Sequence, residues 1–132
     1  VKSFDELVTA VEHRIRDIIW SNNASLDNYS EYIKQAIIYT NEHYQTIEKV
    51  SEVSKMLNLN TEYFCRLFKR EVGMTYVTYL TNIRMEKAMH LIKYSNIKIC
   101  EIARLVGYNN ISYFSKLFKR TYGKNPFKIR NE

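Results

Sequence analysis

The chain has 132 residues, 45% of them apolar and 26% charged, with only three Gly and one Pro; this suits one compact domain, alone or with a connecting segment, and excludes an all-β fold, which needs far more turn residues. The net charge of +6 is uneven: residues 1–45 hold 4 Lys or Arg against 7 Asp or Glu, whereas residues 46–132 hold 16 against 7, a balance of +9 suited to a phosphate-binding surface. No apolar run approaches the roughly 18–20 residues of a bilayer span, and Cys65 and Cys100 form no CxxC or Cys/His cluster, so a zinc site, a disulfide and a membrane segment are not expected.

In chain order, Ser3 and Glu6 resemble a capping box, and Phe4, Leu7, Val8, Val11, Ile15, Ile18 and Ile19 recur at helical spacing. This acidic amphipathic helix ends in the polar run of residues 21–25. It reads as a linker to a missing upstream domain, as a dimerisation element, or as a helix packed on the rest of the chain. The start at Val1 in place of Met fits a piece of a longer protein. A second helix is expected from about Leu26 to His43, with Tyr29, Ile33, Ala36, Ile37 and Thr40 on its inner face.

An internal repeat follows. Tyr63, Phe64, Leu67, Phe68, Lys69, Arg70 and Gly73 recur identically 50 residues later as Tyr113, Phe114, Leu117, Phe118, Lys119, Arg120 and Gly123. Upstream, Val50, Val53, Ser54 and Leu57 match Ile99, Ile102, Ala103 and Val106 at an offset of 49. Each copy predicts a short helix, a tight turn and a second helix. Small Ser54 or Ala103 permits close approach. Asn58 or Gly107 tolerates the left-handed turn, and Asn60 or Asn110 caps the second helix. This is the pattern of a helix-turn-helix. Between the copies, Thr75 caps a helix whose stripe of Tyr76, Leu80, Ile83, Ala88, Leu91 and Ile92 runs to about Lys93. Asn125-Pro126 opens a corresponding helix after the second copy. Arg84 is read as structural, paired with Glu101.

In a helix-turn-helix the second helix enters the major groove. Phe64, Leu67 and Phe68, like Phe114, Leu117 and Phe118, recur at i, i+3 and i+4 and form its buried face. The opposite face then presents Thr61, Glu62, Cys65, Arg66 and Lys69 in the first copy, and Ile111, Ser112, Ser115, Lys116 and Lys119 in the second. The equivalent Arg66 and Lys116 are the leading candidates for donating to guanine O6 and N7. Glu62 can accept from cytosine N4, Ile111 can touch a thymine methyl, and Thr61, Cys65, Ser112 and Ser115 complete the base-facing set. Lys69, Arg70, Lys119 and Arg120 are assigned to phosphates. No catalytic constellation, metal set or cofactor motif stands out. A helical protein-interaction module would explain the amphipathic helices, though not a cation at the same place in both copies.

The stretch from about Tyr32 to Arg130 resembles the DNA-binding domain of the AraC/XylS family of bacterial regulators. The resemblance rests on Tyr63-Phe64-x-Arg66-Leu67-Phe68-Lys69, Arg84-Met85-Glu86-Lys87-Ala88 and Ile102-Ala103-x-x-Val106-Gly107-Tyr108. It continues through Tyr113-Phe114-Ser115-Lys116-Leu117-Phe118-Lys119 and Gly123-x-Asn125-Pro126-x-x-x-Arg130. The wording at residues 84–88 is most like the response-regulator, YesN-like branch. Departures are Ser54 for the usual Ala, Lys49 and Lys98 at the scaffold-helix caps, and Ile129 where Tyr is frequent.

The resemblance implies an all-α, seven-helix domain of two homeodomain-like helix-turn-helix subdomains joined by a long linker helix. The implied division is residues 1–27 as the linker helix to an upstream domain and 28–132 as the DNA-binding domain. The latter divides into residues 28–74 and 94–132 as the two subdomains and 75–93 as the linker helix. It implies promoter DNA as partner, with RNA polymerase as a further one, and a cytoplasmic activator. The fragment is expected to be monomeric and the full-length protein dimeric. The upstream part is expected to be a two-component receiver, with a ligand-sensing domain as the alternative.

Overall fold

The computed structural model describes residues 28–132; the expected capping box at Ser3 and the apolar stripe after it lie outside them. The described residues form seven helices: α1 (Glu31–His43), α2 (Val50–Met56), α3 (Thr61–Val72), α4 (Tyr76–Tyr94), α5 (Ile99–Leu105), α6 (Ile111–Tyr122) and α7 (Pro126–Arg130). No strand occurs among them, so the fold is all-helical.

Side-chain acceptors start most of these helices. Ser30, Asn60, Thr75, Asn110 and Asn125 each accept a bond from the backbone N–H three residues on, satisfying a donor that the helix itself leaves open. Helix α1 therefore begins at Glu31, later than the apolar pattern from Leu26 suggests. Ser30 cannot continue the helix because it is its cap, in extended backbone, and Glu71 holds it there by accepting from Ser30 N at 2.6 Å and from Ser30 Oγ at 2.9 Å. Lys49, with no acceptor to offer, is served by Glu52, which accepts from the N–H groups of Glu48 and Lys49, both at 2.7 Å. Those backbone bonds, Lys49 first, hold the Glu52 carboxyl below its ordinary value.

Two cores result. The first gathers Ile33, Ile37, Val53, Phe64, Phe68 and Tyr76 from α1 to the start of α4. The second gathers Met85, Leu91, Ile102, Val106, Phe114 and Phe118 from the rest of α4 to α6. The four phenylalanines of the repeat are wholly buried, each contributing about 1.5–3 kcal/mol by burial. Helix α4 serves both cores. Tyr76 packs edge-on to Phe64 and Phe68 at 5.6 and 5.3 Å between ring centroids, and its hydroxyl lies 2.7 Å from Thr40 Oγ1. Leu80 touches both cores, and Met85 to Ile92 fill the second. At 19 residues, α4 is about 28 Å long.

Two arginines hold the loops. Arg130 of α7 donates to the carbonyls of Leu91, Ile92, Ser95 and Ile97, which closes the C-terminal end of α4. Arg84 is buried and structural, but its expected pairing with Glu101 is wrong. Glu101 is exposed on α5, whereas the Arg84 guanidinium donates to Tyr44 O at 2.8 Å and Ile47 O at 2.6 Å. A planar fork satisfied by two backbone carbonyls has no need of a carboxylate.

Candidate nucleic-acid interface

Each repeat builds a second helix on the same plan. Asn60 Oδ1 accepts from Tyr63 N at 3.2 Å and Asn110 Oδ1 from Tyr113 N at 3.0 Å. Helices α3 and α6 both run 12 residues and end at Gly73 and Gly123. The tight turn before each is left-handed, at Asn58 (φ +58°) and Gly107 (φ +111°). In both, the i, i+3, i+4 phenylalanine–leucine stripe is buried, which turns the opposite side of each helix to solvent.

The residues read as base-facing divide in two. Glu62, Arg66, Ser112 and Lys116 are exposed, while Thr61, Cys65, Ile111 and Ser115 are half-buried at the helix margins. Three of the marginal residues have identified structural duties, Cys65 by packing against the first core. The Thr61 hydroxyl lies 2.8 Å from Ser54 Oγ, and Ile111 packs against the second core. The residues read as phosphate-facing, Lys69, Arg70, Lys119 and Arg120, are all exposed. The Ser54 hydroxyl is buried but satisfied, donating also to Ser51 O at 3.2 Å, so serine in place of alanine leaves no orphaned polar atom in the first turn.

Tyr63 and Tyr113, identical members of the repeat, fall outside the contact set that the sequence predicts. They are 44% and 54% exposed, too open for core residues. They share a row at i, i+3, i+7 with Arg66 and Arg70, and with Lys116 and Arg120. Identity at equivalent positions, off the buried stripe, was the available signal. The helices differ electrostatically. Between Thr61 and Val72, α3 carries Arg66, Lys69 and Arg70 against Glu62 and Glu71, a balance of +1; α6 carries Lys116, Lys119 and Arg120 and no acid, a balance of +3. Glu71 is occupied with Ser30.

Among the described residues, no cluster of three or more His, Cys, Asp or Glu side chains could hold a metal ion, and no helix is long and apolar enough to cross a membrane. Cys65 and Cys100 are free thiols.

A family model described as a helix-turn-helix domain matches residues 53–132. The C-terminal domain of AraT, a response regulator from Geobacillus stearothermophilus, superposes with a TM-score of 0.75 at 35% identity, covering 77% of this chain and 85% of that one. The chain belongs to the AraC/XylS family. Its AraC-type fold is shared with the C-terminal domain of the two-component response regulator yesN from Fusobacterium nucleatum, at a TM-score of 0.74 and 31% identity, over 76% of this chain and 99% of that one. In sequence it is 30% identical over 111 residues to the Msm operon regulatory protein of Streptococcus mutans, covering 84% of this chain and 39% of that protein. This AraC-type chain spans only 33% to 39% of the length of the first curated relatives it matches. The family is one of DNA-binding transcription regulators, not of enzymes.

Proposed function

We propose that residues 28–132 form the DNA-reading part of a bacterial transcription regulator, with α3 and α6 entering successive major-groove segments of one promoter site. The observation that carries this reading is the equivalence of Arg66 and Lys116. Two helices of equal length and equal capping present an exposed cation at the same repeat position. A guanidinium or ammonium there can donate to guanine O6 and N7. Glu62 and Ser112 are next in line. Thr61, Cys65, Ile111 and Ser115, at the margins, make shorter contacts to base edges or methyl groups. Lys69, Arg70, Lys119 and Arg120 hold the phosphates that flank each groove segment, and Tyr63 and Tyr113 add hydroxyl donors to the same rows. The greater basicity of α6 assigns the larger electrostatic share to the second unit.

The response-regulator domains of AraT and yesN support a two-component output role. In that reading residues 1–27 lead from a receiver, and phosphorylation of the receiver pairs two such modules on a direct repeat. An activator of this kind works in the cytoplasm and touches RNA polymerase as well as promoter DNA. Selection from random oligonucleotides with the purified chain tests the central claim. Two short conserved blocks whose centres lie about one helical turn apart, roughly 34 Å, are expected, and a single block contacted by one unit would refute it.

A further inference from the structure

We propose that Arg84 is a positioning residue that fixes the angle and spacing between the two recognition helices, by clasping the loop after α1 against the turn that precedes α6. The inference rests on the two-unit reading above.

Helix α4 joins the units, and they share only Leu80 on it: the first packs on Tyr76 and Tyr79, the second from Ile83 onward. They also meet directly, at a seam formed by Arg84 and Tyr44. Its Nε donates to Tyr44 O at 2.8 Å and its Nη2 to Ile47 O at 2.6 Å, both on the loop of the first unit. The other side of the same guanidinium faces the second unit, with Cζ 5.0 Å from the centre of the Tyr108 ring. Tyr44, from the first unit's loop, is in turn buried in the second core.

Gly107 shows how tight the seam is. A β-carbon built on it would lie 2.9 Å from Arg84 Cζ and 2.9 Å from the Gln45 carbonyl oxygen. The turn of the second unit thus lies against the loop of the first with no room for a methyl group. In the first unit the equivalent turn uses Asn58, also left-handed but with its side chain exposed. At φ +111° the Gly107 backbone by itself disfavours any side chain, and the close approach across the seam adds a second, steric reason for glycine at this turn. Only a planar, five-donor group can bridge two carbonyls and stack on a ring at once; lysine, a point charge on a flexible stem, cannot. A fixed angle matters because, once one unit is bound, the second meets its groove at an effective concentration that collapses when the geometry is wrong.

The test uses a two-block site from the selection above, each block alone with the other scrambled, and the full site with one base pair inserted between blocks. One pair adds roughly 3.4 Å and turns the second block by about 36°. The wild-type chain is expected to lose at least tenfold in affinity on insertion. R84K and, as an independent variant, Y108L are expected to bind the full site five- to tenfold more weakly, each single block within twofold of wild type, and the inserted site with less than a threefold penalty. A wild-type insertion penalty in both variants, or an equal loss on full and single blocks, would overturn the proposal. In contrast, a wild-type chain that binds one block as tightly as two would defeat the two-unit reading. A DNA-free measurement separates these failures. Spin labels at K55C and R104C, on exposed positions of α2 and α5 in a C65S/C100S background, should give a narrow distance distribution that broadens in R84K with unchanged helical circular dichroism. An unbroadened distribution would overturn the clasp even if both units read DNA.

Discussion

Replacing Tyr76 by Phe removes one oxygen from the seam between α1 and α4. The Tyr76 hydroxyl lies 2.7 Å from Thr40 Oγ1, and the two residues are 3% and 0% exposed. In Y76F the Thr40 hydroxyl loses this partner, at a cost of about 1–3 kcal/mol. Rotation toward its own helix, where the Ala36 carbonyl lies one turn back, relieves part of that and sets the lower end. T40V strands the phenol instead. The double variant T40V/Y76F removes both polar atoms from an apolar site and should be nearly neutral, so the cycle is expected to give a coupling energy equal to the sum of the two single losses, roughly 2–3 kcal/mol when each lies near its lower end. The same pair carries a pH signature. Burial, the dominant cause, raises the Tyr76 pKa to about 12, against the bond from Thr40, which lowers it. An unfolded tyrosine loses its proton near pH 10 while the folded one keeps it. The stabilisation is therefore complete below pH 10 and lost as pH rises through 12, roughly 3 kcal/mol in all at about 1.4 kcal/mol per pKa unit. Burial also raises Tyr79, so Y76F should shrink this alkaline loss without abolishing it. Urea unfolding followed by circular dichroism at pH 7 and between pH 9 and 12 measures both effects. Additive losses in the double variant, or an unchanged alkaline limb in Y76F, would refute the reasoning.

If Lys116 reads a base, K116A should cost about 1–3 kcal/mol on the selected site and relax preference at one position. K119A should weaken all sequences alike and reduce the slope of log K against log salt by about 0.9; equal losses on selected and random DNA for both would reverse the assignment. R130M removes the charged donor to four carbonyls at the end of α4. It should destabilise the chain by about 1.5–3 kcal/mol in chemical denaturation, and a change below about 0.5 kcal/mol would show that α7 is held without it. Glu52 has its pKa lowered by the backbone bonds at Lys49 and Glu48, so its stabilisation is present above the ordinary pKa of 4.5 and lost as pH falls through the folded value. E52Q should therefore unfold with a shallower acid limb below pH 4.5 than wild type, as read by circular dichroism during acid titration.

The helix-turn-helix pair was legible because its signals are local or repeated. The Asn60 and Asn110 caps, the turn residues Asn58 and Gly107, and the i, i+3, i+4 phenylalanine stripes each follow from backbone conformation or helical period within one short segment. A copy displaced by 49 or 50 residues supplies a second reading of each. The outward face of α3 and α6 followed from the same period, as the side opposite the buried stripe. The start of α1 falls later than the apolar pattern predicts because the residue that stops it, Ser30, is held by Glu71, 41 residues away. Glu52 stood in the sequence three residues after a lysine that cannot cap, and its carboxylate takes over that task.

Helical period and capping chemistry thus specify which residues point inward and which outward along each helix, since both depend only on neighbours within a turn or two. The partners of Arg84 and Arg130 are of another kind. Each is a backbone carbonyl 33 to 40 residues distant, and every residue except proline carries the same backbone groups, so no residue type marks where such an arginine will dock. Only packing of the two cores on α4 brings those carbonyls to the guanidinium groups.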